Sequence, residues 1–185
     1  MEKFGANFIN PNGSINNGEH LKDCKLIGLY FGAKWCKPCE EFTKKLIEFY
    51  NFANSQYTDD NNSNNKQDEQ SQMENQNDVS NSTPQKKDNQ QSKQQQQFEV
   101  IYFGMDQKNS FFLEDFREMP WIAYEFKDYK KIEIYLELKE QVPGMPCLLV
   151  VNPQNGKVIN SKGRVDVQTM DQVDCWLKWN DQKIQ

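Results

Sequence analysis

The sequence predicts an α/β fold, in which helices cover both faces of a central mixed sheet. Two observations support this prediction. Short apolar runs rich in β-branched and aromatic residues recur at 25–31, 98–103 and 147–151, which is typical of buried strands. Between and after them, apolar residues recur at helical spacing, so that strands and helices mix along the chain in the order expected of a covered sheet.

The first half of the chain predicts two strands and a long helix. Residues 4–9 form a first short strand that ends at the turn-forming residues 10–14. Residues 25–31 form the central strand. A helix is predicted over 36–52 from the helical spacing of four apolar residues, Phe42, Leu46, Phe49 and Tyr50.

The second half predicts a strand over 98–103, parallel to the central one, and a short helix over 110–116. Residues 129–138 favour a helix, although their β-branched residues also allow a strand. Residues 147–151 and 157–161 predict a hairpin around Asn155-Gly156. The last predicted element is a single terminal helix with one apolar stripe, made of Val167, Met170, Val173, Trp176 and Leu177.

A polar tract at 54–97 interrupts this pattern. Of its 44 residues, 21 are Asn or Gln, and Tyr57, Met73 and Val79 are its apolar residues. Such a segment buries too little apolar surface to offset the entropy of ordering it, so we expect a disordered insert. We therefore predict one domain over 1–185 that contains a low-complexity insert at 54–97. The insert is interpreted as a spacer, and association through its Gln run remains an alternative.

Charge and hydropathy exclude several classes of function. The net charge is −5, so the chain lacks the basic footprint of a nucleic-acid-binding protein. No apolar run reaches membrane-spanning length, and the first residues lack the apolar core of a secretory signal. We expect a protein of the cytoplasm or another reducing compartment. Five cysteines, an odd number, argue against a framework of structural disulfides.

The segment Trp35-Cys36-Lys37-Pro38-Cys39 carries the chemistry. Its two cysteines lie where the central strand passes into a helix, and residues three apart in a first helical turn can form a disulfide. Pro38 suits that turn, and Lys37 and the helix N-terminus favour a thiolate. We predict that Cys36, at the more exposed position, attacks a substrate disulfide and that Cys39 resolves the mixed disulfide.

A zinc site is the alternative for a C-x-x-C pair, but zinc needs four ligands. The chain has one histidine, His20, and the other cysteines, Cys24, Cys147 and Cys175, are far apart in sequence. We therefore predict no metal. Cys24 and Cys175 are interpreted as buried apolar side chains. Cys147 is interpreted as packing, and a role as a third redox residue remains an alternative.

Four sequence blocks resemble the tryparedoxin and nucleoredoxin group of thioredoxin-fold proteins. They are Gly28-Leu-Tyr-Phe-Gly-Ala-Lys-Trp-Cys-Lys-Pro-Cys39, Met119-Pro-Trp-Ile-Ala123, Val142-Pro-Gly-Met-Pro146 and Gly163-Arg164. The resemblance implies a thioredoxin-like fold. It also implies that Pro146 is a cis-proline beside the cysteines and that the backbone of Met145 pairs with an extended substrate. Trp35 and Trp121 would shape the substrate surface, and core packing remains open for both.

The sequence departs from thioredoxins proper at Tyr30, where those proteins carry a buried acid, so no proton acceptor for Cys39 is evident. Lys37-Pro38 replaces the group's frequent Pro-Pro. The resemblance implies a protein dithiol-disulfide oxidoreductase that needs no cofactor besides its redox-active disulfide. Its partners would be protein disulfides and an upstream reductase or small dithiol, with no nucleic acid or membrane. Alternatives are a redox-gated adaptor and a structural subunit of a larger assembly.

Overall fold

The computed structural model describes residues 2–5, 7–59 and 97–184, which form a seven-stranded mixed sheet with helices on both faces. The strands are β1 (Phe8–Ile9), β2 (Ile15–Asn16), β3 (Leu26–Gly32), β4 (Phe98–Gly104), β5 (Ile122–Ala123), β6 (Cys147–Val151) and β7 (Val158–Asn160). The helices are α1 (Lys37–Asp59), α2 (Asn109–Phe116), α3 (Tyr129–Leu138), α4 (Gly163–Thr169) and α5 (Gln172–Ile184). Short 3-10 helices span Glu2–Phe4, Glu19–Asp23 and Lys139–Gln141.

The sheet has the order β2-β1-β5-β4-β3-β6-β7. Strand β3 lies at its centre and pairs in parallel with β4, in a register that runs from Leu26↔Phe98 to Gly32↔Gly104. On its other side β3 pairs antiparallel with β6. Every residue of these three strands is buried, because helices cover both faces. The predicted parallel pairing of β3 with β4 is confirmed.

Alternating side chains of the central strands feed two cores. On one face, Tyr30 and Tyr102 pack with residues of α1 and α5, including Phe42, Phe49 and Trp179. On the other face, the strand residues Leu29, Ile101 and Leu149 pack against α3 and the N-terminal segment, represented by Ile134 and Phe4. The period-two alternation of the strands therefore separates the two cores.

Helix α1 extends to Asp59, beyond its predicted end at residue 52, so residues 54–59 of the predicted insert are helical. Asn54 fixes this extension to β4. Its amide nitrogen donates to the carbonyls of Tyr50 and Phe98 at 3.1 and 2.9 Å. Its carbonyl oxygen accepts the backbone N–H groups of Gln97 and Phe98 at 2.9 and 3.0 Å. Gln97 is buried as well, and residues 60–96, the rest of the predicted insert, lie outside the described residues.

The chain start differs from the predicted strand over 4–9. A 3-10 helix occupies Glu2–Phe4, and the strand is confined to Phe8–Ile9. Gly5 has a φ of 73°, a left-handed conformation that breaks an extended run. The break lets the carbonyl of Phe4 accept a hydrogen bond from the Tyr124 hydroxyl at 2.6 Å.

The chain end forms two helices, so the prediction of a single terminal helix with one apolar stripe is wrong. Helix α4 ends at Thr169, and α5 begins at Gln172, where the Asp171 carboxylate accepts the N–H of Val173 at 2.8 Å. Among the side chains of α5 that the structure describes, Cys175 and Trp179 are completely buried, whereas Val173 and Leu177 are about half exposed. The indole N–H of Trp179 donates to the buried carboxylate of Asp166 at 2.9 Å, which sets the inner face of α5.

The element over residues 129–138 is a helix, and the strand alternative does not hold. Asp128 caps it, since its carboxylate accepts the N–H groups of Lys130 and Lys131 at 2.7 and 3.1 Å.

The predicted hairpin of β6 and β7 is present and antiparallel. Among the described residues, no helix is both long and apolar enough to span a bilayer.

Candidate redox site

Cys36 and Cys39 lie at the passage from β3 to α1, as predicted, and form a disulfide with a Cα–Cα distance of 5.2 Å. Cys36 occupies the last loop position, and its N–H donates to the Ala33 carbonyl at 3.0 Å. Cys39 belongs to the first turn of α1, and its N–H donates to the Cys36 carbonyl at 2.8 Å. Cys36 is 7% exposed and Cys39 is 2% exposed. Cys36 is therefore the more exposed of the two cysteines.

The first turn of α1 presents Lys37 and Pro38 to solvent. Pro38 occupies a position whose backbone N–H would have no partner within the helix, so it fits without loss of a hydrogen bond. Lys37 is a positive charge beside the helix N-terminus, where the helix dipole also favours an anion. That Lys37 and the helix N-terminus favour the thiolate form of Cys36 remains a prediction. The structure does place Lys37 at the start of α1, directly after Cys36.

Below Cys39, the hydroxyl groups of Tyr30 and Thr43 fix the first helical turn. Both hydroxyls donate to the carbonyl of Cys39, from Tyr30 at 3.3 Å and from Thr43 at 2.9 Å, and they are 2.8 Å from each other. Burial raises the pKa of Tyr30, so its hydroxyl stays protonated at neutral pH. Tyr30 is thus a hydrogen-bond donor to the backbone of Cys39 and does not serve as a base.

The peptide bond between Met145 and Pro146 is cis, as the resemblance implied. Met145 packs against Ala33, Cys36 and Cys39 together with Met105, and we call these five residues the disulfide cluster. Pro146 itself is buried.

Beside the cis-proline loop lies an open groove of about 410 Å³, bounded by residues 143–148 and by the start of α4. The guanidinium of Arg164, from α4, donates to the Pro146 carbonyl at 3.4 Å and to the Gln168 side chain at 3.1 Å. Gly163 lets α4 approach closely, because a Cβ there would lie 2.8 Å from the carbonyl oxygen of Leu148. Met145 lines this groove and also packs on Cys36, so the groove reaches the disulfide cluster.

The two tryptophans have different positions. Trp35 is 59% exposed on the turn before Cys36, so the core-packing alternative does not hold for it. Trp121 is 1% exposed and packs edge-on against the rings of Tyr30 and Tyr50, with centroids at 6.2 and 5.6 Å. The prediction that Trp121 lines the substrate surface is therefore wrong. It fills the core below the site, because it directly precedes the buried strand β5.

Asp106 is a site residue that the sequence reasoning missed. It is 8% exposed, and its Oδ1 accepts the N–H of Lys34, two residues before Cys36, at 3.0 Å. Burial raises the pKa of its carboxyl group above the ordinary value. Its position two residues after β4 was a usable signal, because the carboxyl ends of adjacent parallel strands meet at one edge of a sheet.

The remaining cysteines are buried thiols. Burial raises the pKa of Cys24 and Cys175 to about 12 and that of Cys147 to about 11. Because the thiolate is the reactive form, these residues are poor nucleophiles at neutral pH, in agreement with the predicted packing roles. Within the described ranges, no group of three or more metal-ligating side chains comes together.

Comparison with known proteins gives a consistent result. A family model described as thioredoxin-like matches residues 23–158. Nucleoredoxin of Mus musculus is 28% identical over 164 residues, which cover 86% of this chain and 28% of that protein. Tryparedoxin of Trypanosoma brucei brucei is 25% identical over 162 residues, or 88% of this chain and 83% of that protein. The structure of tryparedoxin II from C. fasciculata superposes with a TM-score of 0.62 at 24% identity and covers 90% of this chain and 89% of its own. The chain thus spans under a third of the length of the mouse nucleoredoxin and most of the tryparedoxin.

Proposed function

The chain belongs to the thioredoxin-like oxidoreductase family, and from that membership we propose that it reduces disulfide bonds in protein substrates. The observation that carries the proposal is the Cys36–Cys39 pair at the start of α1, with Cys36 as the more exposed residue. Met145 packs on this pair and also lines an open groove. A purely structural role would not require two adjacent cysteines in this position.

The proposed reaction has two steps, and the reduced dithiol supplies both electrons. The Cys36 thiolate attacks one sulfur of the substrate disulfide, and the other substrate sulfur leaves as a thiolate that takes up a proton. Cys39 then loses its proton and attacks the Cys36 sulfur, so that the second substrate sulfur leaves and is protonated. The enzyme ends as the Cys36–Cys39 disulfide, and the substrate gains two thiols.

We propose that the substrate binds as an extended segment along the groove, with the backbone of Met145 as its hydrogen-bonding partner. Two observations support this arrangement. Met145 is part of the disulfide cluster, and Trp35 provides an exposed apolar surface on the turn before Cys36. Trp121 is buried and is left out of this binding surface.

The proposal includes no cofactor besides the disulfide. An external dithiol or a reductase would reduce the enzyme again after each turnover, because the dithiol is consumed. Continuous turnover then requires a reducing compartment such as the cytoplasm.

The experiment that tests the proposal compares insulin reduction, driven by an added dithiol, for the wild type and three variants. Cys36→Ser should abolish the activity, because the attacking sulfur is lost. Cys39→Ser should accumulate covalent mixed disulfides with substrates, which a non-reducing gel detects. Cys175→Ala is the matched control, since it removes a buried thiol without touching the disulfide. Substantial turnover by Cys36→Ser would contradict the proposal.

The same Cys39→Ser variant separates an enzyme from the adaptor and the structural subunit. Many covalently trapped proteins from a cell extract indicate an enzyme with broad substrates. A single partner that copurifies without a covalent bond indicates an adaptor or a subunit of an assembly, and would replace the proposal.

A further inference from the structure

Two methionines of the disulfide cluster flank the passage from β3 to α1. Met105 directly follows β4, and its N–H donates to the carbonyl of Gly32, the last residue of β3, at 2.8 Å. Met145 lies two residues before β6, the strand that pairs with the other side of β3. Both side chains pack against the cluster that contains Cys36 and Cys39. The disulfide is therefore bordered by one methionine from each neighbouring strand end.

Each of these methionines also lines an open groove. Met145 lines the groove of about 410 Å³ beside the cis-proline loop. Met105 lines a second groove of about 210 Å³, together with Lys131 and Tyr135 of α3 among others. Both methionines are partly exposed, whereas Met119 is 2% exposed and belongs to the core. Small solutes therefore have access to Met105 and Met145 and little access to Met119.

The thioethers remain open to oxidation after the disulfide has closed. In the closed form the sulfurs of Cys36 and Cys39 are bonded to each other, so neither offers a thiolate to an oxidant. Cys147 lines the same groove as Met145, but burial raises its pKa to about 11 and keeps it a thiol. A thioether has no proton to lose, so its reaction with a peroxide requires no ionisation. Exposure and chemistry thus both favour oxidation at Met105 and Met145.

We propose that Met105 and Met145 are oxidation sites through which a peroxide reversibly switches off disulfide exchange. The thioether sulfur attacks one oxygen of hydrogen peroxide, the O–O bond breaks, and the other oxygen leaves as water. The sulfur loses two electrons and becomes a sulfoxide, and the peroxide gains them. A methionine sulfoxide reductase reverses the step with a dithiol, which supplies two electrons and ends as a disulfide, while the oxygen leaves as water. This role rests on the proposed function, because the activity that is lost is the proposed exchange.

Oxidation places a polar group where the structure has an apolar contact. A sulfoxide oxygen has to stay hydrated or find a donor, so the oxidised side chain should turn from the disulfide cluster toward the water of its groove. At Met145 this puts the oxygen where the substrate segment is proposed to bind. At Met105 it removes an apolar neighbour from the disulfide. Methionine is also a common filler of irregular gaps, and a role in packing alone is the alternative that the experiment has to exclude.

The test treats the protein in its disulfide form with hydrogen peroxide, removes the peroxide with catalase, and then measures insulin reduction with an added dithiol. The dithiol reopens the disulfide and leaves methionine sulfoxide intact, so the remaining loss of rate is due to the methionines. We expect the rate to fall about tenfold, in line with the cost of burying a polar group that has no hydrogen-bond partner. Masses of proteolytic peptides should show the added oxygen on Met105 and Met145 well before Met119.

Two variants separate the cluster methionines from other oxidation. The double variant Met105→Leu with Met145→Leu keeps apolar side chains of similar size and removes both thioethers from the cluster. Met170→Leu is the matched control, since Met170 is also partly exposed but lies between α4 and α5, beside Lys178. Each rate is expressed relative to the same protein before treatment. The double variant should keep most of its rate after peroxide, and Met170→Leu should lose as much as the wild type.

Methionine sulfoxide reductases for both sulfoxide epimers should restore the rate of the oxidised wild type. Failure to restore it would overturn the inference, and so would a double variant that loses as much activity as the wild type. Oxidation of Met119 as early as Met105 and Met145 would also overturn it, because the grooves would then give no selectivity. An untreated protein that fails to reduce insulin would contradict the proposed function instead. The peptide masses alone would then decide whether Met105 and Met145 are selective oxidation sites.

Discussion

Gly32 and Gly104 face each other at the end of the β3–β4 pair, and aromatic rings lie directly over both. A Cβ on Gly32 would lie 2.9 Å from the hydroxyl oxygen of Tyr30, and a Cβ on Gly104 would overlap the ring of Phe112. Tyr30 has little room to move, because its ring packs against neighbouring aromatic rings on three sides. The missing side chain of Gly32 therefore creates the space for the hydroxyl that bonds the carbonyl of Cys39.

Substituting Gly32 by Ala should lower both stability and activity. We expect the free energy of unfolding to fall by about 1–3 kcal/mol, the usual cost of overpacking a core, and the rate of disulfide reduction to fall because Tyr30 loses its place below Cys39. Urea denaturation and insulin reduction measure the two effects. Gly144→Ala is the control, since a Cβ there meets no atom within 4 Å, and a comparable loss of stability in that variant would contradict the packing argument.

The raised pKa of Asp106 makes the free energy of unfolding depend on pH. Its carboxyl group binds a proton more tightly in the folded than in the unfolded protein, so the folded state gains stability as the pH falls. This contribution is fully present below the unfolded pKa, near 3.9, and is lost as the pH rises through the folded pKa.

We therefore expect the stability of the wild type, relative to Asp106→Asn, to increase from pH 7 toward pH 4. Denaturation curves of both proteins across this range test the sign. A difference in free energy that stays constant with pH would show that the folded protein does not shift the pKa of Asp106.

The redox pair itself could be predicted because its chemistry depends on local spacing. The positions of the two tryptophans could not, because Trp35 and Trp121 are both next to motif residues and only tertiary packing distinguishes an exposed turn from the core. Asp106 was missed for a related reason. A single acid after a strand becomes informative only when the register of β3 and β4 brings it to Lys34.

At the scale of elements, Asn54 connects the end of α1 to the beginning of β4. Composition assigned this residue to the polar tract, since it is the first of many Asn and Gln residues. Its four hydrogen bonds instead tie it to the backbone of Tyr50, Gln97 and Phe98. Composition describes a segment on average, and a single side chain at its border can belong to the fold.

Replacing Asn54 by Ala should destabilise the protein by about 2–6 kcal/mol, because two backbone N–H groups lose their acceptor at a cost of about 1–3 kcal/mol each. Asn51→Ala is the matched control on the same helix, where the side chain is exposed, and should change stability by less than about 0.5 kcal/mol. Thermal or urea denaturation compares the two. Equal effects would show that the Asn54 hydrogen bonds contribute no net stability.

The pairing of the central strands could be predicted from the sequence, because fully buried strands are continuous apolar runs. The division of the chain end into α4 and α5 could not be predicted. Apolar residues at helical spacing continue across Met170 and Asp171, and the break depends on the capping by Asp171 and on the bond from Trp179 to Asp166. Capping and buried polar contacts set the direction of α5. The helical spacing of apolar residues in the sequence predicts neither of them.

For the whole molecule, the described residues alone form a seven-stranded sheet and two cores on its faces. We expect that replacing residues 60–96 by a linker of about six Gly and Ser residues, with Asn54 and Gln97 retained, preserves the fold. The shorter connection should change the free energy of unfolding by less than about 2 kcal/mol, since loop entropy varies slowly with length. Insulin reduction should remain at the wild-type rate.

Circular dichroism during heating, together with the insulin assay, checks this expectation. A second deletion that begins at residue 54 is the informative comparison, because it also removes Asn54 and should be clearly less stable. A large loss of melting temperature in the first deletion would show that part of 60–96 packs on the domain.

The register of β3 with β4 places the start of β4, where residue 97 joins it, and the cysteines at opposite ends of the sheet. Phe98 pairs with Leu26 where the tract joins β4, whereas Gly104 pairs with Gly32 before the active turn, about 20 Å away along strands of seven residues. The connection between α1 and β4 is thus a natural attachment point for engineering. A fluorescent protein or an immobilisation tag inserted there would face away from the disulfide, so the protein could be imaged or fixed to a support while its thiols remain open to partners in solution.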